Sequence, residues 1–188
     1  MNEVRDSTIA AFRFVAEIYE NTASLLRAAE ELLDRDGFVA YSNAWKPFSP
    51  QTSLQHARRW APHGCVRQFH RLDNDKEVLT VAVVLPVEPD FDEPLVLGSY
   101  MTTVTQPDSV YWLALLQSWC RDEAPPDGVV RRLRNTSERL KADYERVLAD
   151  PVLLSLAVPL HQVSSNRELD EFVIRPLLAE VRLPTVTK

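Results

Sequence analysis

At 188 residues, 45% hydrophobic and 26% charged, the chain has the size and balance of one folded domain, which excludes disorder and an extended coiled coil. A formal net charge of −6 argues against non-specific nucleic-acid binding by the whole surface, so no nucleic-acid partner is expected. With only four glycines, none near enough to another to cradle a phosphate, the Walker A and dinucleotide fingerprints are excluded, and the HExxH, GxSxG and EF-hand patterns are absent.

Met1 to Asp6 carries Glu3, Arg5 and Asp6 and no apolar run, so no secretory signal is expected. The charge-free runs Pro94 to Pro107 and Pro151 to Asn166 are too short and too polar to span a bilayer. A cytoplasmic protein without membrane contact follows, its Cys65 and Cys120 reduced thiols in different elements.

Ser7 to Asp36 reads as a helix, with Ser7 as N-cap and Gly37 just past the end. Ile9, Phe12, Ala16, Tyr19, Ala23, Leu26, Ala29 and Leu33 recur every three or four residues and form one apolar stripe. Phe14, Val15, Ile18, Leu25 and Leu32 lie partly off it, so the helix is apolar on more than one side. Unbroken, it would run about 45 Å at 1.5 Å per residue. It therefore either breaks near Asn21 and Thr22 or reaches a neighbour, and a homodimer through this helix is one expectation.

Phe38 to Asn43 reads as a short strand, followed by an irregular arm from Trp45 to Gly64. Val66 to Leu72, Glu77 to Val87 and Leu95 to Val104 read as an antiparallel meander, the middle strand so continuously apolar that it should be central and covered on both faces. The turn Asp73 to Lys76 predicts a tight hairpin with Leu72 facing Glu77 and Val66 facing Val83. A helix from Asp108 or Ser109 to Cys120 would present Trp112 and Trp119 on one face, a second candidate dimer surface. A further helix is predicted over Asp127 to Ala149, with Arg131, Arg132 and Arg134 in its first turns and Asp122, Glu123 and Asp127 as their neutralising acids. Val152 to Val163 is strand-like, and Pro159, which cannot donate to a ladder, marks either an edge strand or a strand end. Ser165 and Glu168 form a capping box for a last helix, Asn166 to Arg182, which Pro176 should kink or divide. The whole, residues 1–188, is expected to be a single α+β domain: an antiparallel sheet of four or five strands, a meander at its centre, covered by helices and preceded by a long N-terminal helix.

The functional signal is charge segregation. Gly37 to Leu72 holds no Asp or Glu but contains Lys46, Arg58, Arg59, Arg67, Arg71 and three of the four histidines, whereas Asp73 to Asp108 holds eight acids against Lys76, so these windows carry +5 and −7. Strand alternation puts Arg67, Phe69 and Arg71 on one face, where two arginines flanking an aromatic could hold an anion, and His70 on the other. The expected function is a binding module that recognises a small anionic ligand or a protein partner through residues 56–71, with Arg58, Arg59, Trp60, His63, Arg67, Phe69, His70 and Arg71 as candidate ligand-binding residues. A small hydrolase or transferase using His63 or His70 as acid/base is an alternative, and a dimeric interaction protein is another. No cofactor and no metal are expected: His63, Cys65 and His70 lack a fourth ligand, and Glu88, Asp90, Asp92 and Glu93 lack a calcium-loop turn. The acidic connector Glu88 to Glu93 would instead fold back toward the arm, making the protein its own nearest anion, with an external anion kept for Arg67 and Arg71.

Overall fold

A computed structural model of the chain describes residues 2–41, 46–48, 64–85, 93–102, 125–134 and 152–181. The first helix, α1 (Asn2–Asp34), is continuous and starts before the expected cap at Ser7, so the break near Asn21 and Thr22 does not occur. Asn21 and Thr22 do not interrupt it because Thr22 faces the sheet at 4% exposure, on one stripe with Leu26, Ala29 and Leu33. The helix ends as expected, with the amides of Asp36 and Gly37 bonded to the carbonyls of Leu33 and Asp34. Its two halves differ: residues 6–17 are all exposed, and burial begins beyond them.

The strands are β1 (Phe38–Ala40), β2 (Lys46–Phe48), β3 (Gly64–Arg71), β4 (Glu77–Val84), β5 (Leu95–Thr102), β6 (Arg131–Arg134) and β7 (Val152–Pro159). They form one antiparallel sheet in the order β1-β3-β4-β5-β7-β6, with β2 also pairing β3. Since β4 occupies the other edge of β3, β1 and β2 sit end to end along its free edge. The meander and the α+β class stand as expected, and β4 is interior with Val78 to Val84 buried on both faces. The sheet is wider than four or five strands because two segments read as arm and helix pair into it as β2 and β6.

Two predictions are corrected in register and type. In the β3-β4 hairpin Cys65 faces Val83 and His70 faces Val78, one residue away from the expected pairing. The turn is larger than the tight one assumed: Asn74 accepts from the Lys76 amide (3.3 Å) and through its carbonyl from the Glu77 amide (3.0 Å), so Arg71 and Glu77 flank it. Arg131 to Arg134 form strand β6 on β7 rather than the first turns of a helix. The Asp-Gly pair before them dictates this. Gly128 takes φ of 72°, the Val129 amide bonds the Asp127 carboxylate (3.0 Å) and the Gly128 amide bonds the Ala157 carbonyl (2.9 Å), which turns the chain into the sheet. The rest of that predicted helix, and the one carrying Trp112 and Trp119, lie outside the described residues.

After a short turn at Leu160–Gln162, the chain forms α2 (Asn166–Leu169), a π-helical stretch (Asp170–Ile174) and α3 (Arg175–Val181). The capping box is present: Ser165 Oγ accepts from the Glu168 amide (3.3 Å) and donates to its carboxylate (3.0 Å). Pro176 does not divide the helix, because the looser π turn immediately before it, with the Arg175 amide bonded to the Asp170 carbonyl, absorbs the lost donor and the ring. This helix lies on the sheet over Gly98, where an added Cβ would come within 2.5 Å of Leu177 and 2.9 Å of Val173.

α1 and the C-terminal helix cover the same sheet face. Their core contains Phe38, Phe69, Leu79, Val81, Val96 and Leu156 with Leu33, Val173 and Leu177. Each such side chain contributes about 1.5–3 kcal/mol by leaving water. The opposite face is buried too, with Val66, Val78, Ala82, Leu97 and Met101 at 0–1% exposure.

Candidate functional site

Alternation along β3 directs Cys65, Arg67, Phe69 and Arg71 toward α1, as the spacing predicts. Arg67 is long enough to leave the core beside the helix, where its Nη2 donates to Glu30 Oε2 at 2.6 Å. Its Nε is buried and finds no hydrogen-bond partner among the described residues. Arg27, three residues before Glu30 and so on the same side of α1, donates to Ser24 Oγ at 3.2 Å. Ala23, Leu26, Arg27, Glu30 and Arg67 together line a cleft of about 380 Å³. Two guanidinium groups and one carboxylate leave it with a positive balance.

The neighbouring candidates have other employment. Arg71 lies opposite Glu77 in the observed register; its Nε donates to Asp73 Oδ1 (3.0 Å), its Nη1 approaches Glu77 Oε2 (3.6 Å), and its guanidinium sits 5.9 Å from the centre of the Phe38 ring. Phe69 is buried at 0% exposure, so its ring is core and not an open stacking surface. His70 points to the opposite face, 4.6 Å from the Tyr41 ring. Its Nδ1 lies 3.1 Å from the Arg71 carbonyl, a bond that requires the proton on Nδ1 because a carbonyl can only accept. Cys65 and His70 therefore share no site, and burial pushes the Cys65 thiol up, away from the thiolate. Among the described residues no three metal-capable side chains cluster. Arg58, Arg59, Trp60 and His63 lie outside the described residues, as do Glu88, Asp90 and Asp92. The last acid of that connector, Glu93, pairs with His161 at 3.0 Å.

Sequence reasoning missed a second feature, on the sheet face away from the helices. Gln68 faces Thr80, Thr80 faces Ser99 and Ser99 faces Ser155, so four adjacent strands each place one polar residue at the same level. The levels on either side are apolar or nearly so: Val66, Ala82, Leu97 and Ala157 on one, His70, Val78 and Met101 on the other. All four are buried at 0–1% exposure. Ser155 Oγ donates to the Gly98 carbonyl at 2.9 Å, but Gln68 Nε2, Thr80 Oγ1 and Ser99 Oγ find no partner among the described residues. The signal in the sequence is a polar residue inside the otherwise largely apolar β4, β5 and β7, and it acquires meaning only once the register is known.

A larger, open groove of about 490 Å³ runs between α1 and the start of the C-terminal helix, lined by Ile18, Asn21, Leu25, Leu160, Val163 and Leu169 among others. Among the described residues no helix is long and apolar enough to cross a membrane. No protein-family model, curated protein or solved structure matches the chain.

Proposed function

We propose that the protein is a binding module, not a catalyst, and that it takes a small anionic group in the cleft between α1 and β3 with Arg67 as its anchor. The observation that carries this reading is the divided state of that guanidinium: one edge donor held by Glu30, and a buried Nε without a partner among the described residues beside a cleft that also holds Arg27. A guanidinium offers five N–H donors in a fixed fork that fits carboxylate or phosphate, and an unused buried donor costs about 1–3 kcal/mol that an arriving oxyanion would recover. Glu30 is the resident anion, so ligand and Glu30 compete. Binding rather than chemistry is supported by the placement of the reactive groups: His70 lies on the far face from Arg67, and Cys65 is a buried thiol.

Calorimetry with inorganic phosphate and with acetate at low ionic strength tests it. Glu30→Gln should bind phosphate or acetate several-fold more tightly than the wild type, because the half-exposed pair it breaks is worth about 1 kcal/mol or less. Arg67→Met should lose the binding. Equal heats in wild type and Arg67→Met, or no binding to Glu30→Gln, would show that the cleft is not an anion site.

A further inference from the structure

We infer that the anion taken by the α1–β3 cleft is a monocarboxylate with a short apolar tail, and that Glu30 is the residue that disfavours doubly charged phosphates there. This rests on the reading of the cleft as an anion site and names the ligand class within it. The charged groups lining the cleft are the guanidinium groups of Arg27 and Arg67 and the carboxylate of Glu30, a balance of one positive charge among the described residues. A single carboxylate neutralises that balance. A phosphate ester carries about −1.5 to −2 near neutral pH and would leave surplus negative charge beside Glu30, whose Oε2 already lies 2.6 Å from Arg67 Nη2. The donors fit the same choice. Nε and its neighbouring terminal nitrogen form one edge of a guanidinium, two parallel donors that match the two coplanar oxygens of a carboxylate. Arg67 Nε is the donor without a partner among the described residues, so it is the group left for the ligand.

The rest of the lining is apolar. Ala23 and Leu26 lie on the stripe of α1 that carries Arg27 and Glu30, with Ala23 one turn before Arg27. The two arginine stems add apolar wall, because their methylenes lie along the surface while the charged ends reach outward. From Ala23 to Glu30 the helix rises about 10 Å at 1.5 Å per residue, which leaves room for a head at Arg67 and a tail of a few methylenes toward Ala23. The cleft's volume of about 380 Å³ stands at the lower end of small-molecule sites, which run from about 300 to 1,000 Å³, and so suits a short acid rather than a long-chain lipid. A bare inorganic anion would leave the apolar end unfilled.

Calorimetry of the full chain with acetate, butyrate, hexanoate and inorganic phosphate, at one low ionic strength and about pH 8 where phosphate is doubly charged, tests this. Each methylene that leaves water should tighten binding by up to about fourfold, so hexanoate should bind about tenfold or more tightly than acetate, and more tightly than phosphate. Glu30→Gln raises the balance to two positive charges and should shift the preference toward phosphate several-fold. Ala23→Leu fills the apolar end and should remove most of the advantage of hexanoate over acetate; the acid series on the wild-type chain decides the tail whether or not that variant folds. Equal affinity for the three acids, phosphate bound as tightly as hexanoate by the wild type, or a preference that Glu30→Gln leaves unmoved would overturn the inference, and loss of binding in Arg67→Met would show that the anion cleft itself still stands. Acids that bind Arg67→Met as well as the wild type overturn both, as does the absence of binding by any of the four to wild type and Glu30→Gln.

Discussion

Arg131 grips Asp127 with two hydrogen bonds, Nη1 to Oδ1 at 2.7 Å and Nη2 to Oδ2 at 2.6 Å, in the bidentate form that suits a guanidinium and a carboxylate. These bonds, helped by the Val129 amide, hold the Asp127 carboxyl down at about 2. An acid with a folded value below its unfolded one stabilises the fold above the ordinary carboxylate range and loses that contribution as pH falls toward the folded value. The Asp127 turn should therefore loosen between roughly pH 4 and 2. Carboxyl NMR should find Asp127 titrating near 2, and Arg131→Ala should return the midpoint most of the way to the ordinary aspartate value of 3.8. A midpoint indifferent to Arg131→Ala would mean that the turn alone sets it. The same residues show where sequence reasoning failed locally. Asp127 is one of the three acids expected to neutralise the arginines and it does hold Arg131, but across a turn into a strand and not in a helix, because Val130 and Leu133 fit a helical seam as well as a strand.

At the level of elements, the polar row across β3, β4, β5 and β7 makes the sharper demand. A buried hydroxyl without a partner costs about 1–3 kcal/mol, and an apolar group of the same shape removes that cost. Thr80→Val should therefore raise unfolding stability by about 1 kcal/mol, and Ser99→Ala by a similar or smaller amount. Denaturant melts would read the change directly; a fall in stability in both variants would show that the hydroxyls are satisfied in solution. The elements themselves were largely legible: β3, β4 and β5 announce themselves by alternation or by an unbroken apolar run, and the capping box at Ser165 is a local code. The cleft was not legible, because Glu30 stands 37 residues before Arg67 and only the packing of α1 on β3 brings them together. The polar row was hidden for a related reason. Gln68, Thr80, Ser99 and Ser155 form one line only in the observed register, and the single-residue slip in the predicted hairpin sets Gln68 against Val81 and breaks the line at its first member.

Across the whole molecule, the segregated charges are partly settled internally. Of the acid-free window, Arg67 is met by Glu30 from α1, and Arg71 by Asp73 and Glu77 from the acidic window that follows it. The opposite signs adjoin in sequence because a hairpin joins them. The larger asymmetry lies along α1, whose second half is fastened to the sheet by Leu26, Ala29 and Leu33 while residues 6–17 are exposed. Backbone hydrogen bonds that no packing protects open at little cost, whereas those over a core open only with it. Amides of residues 6–17 should thus exchange with solvent orders of magnitude faster than those of Thr22 to Leu33. Hydrogen exchange read residue by residue checks this: a steep fall in protection toward the start of α1 is the expected result, and equal protection along the whole helix would show that its first half is covered in solution.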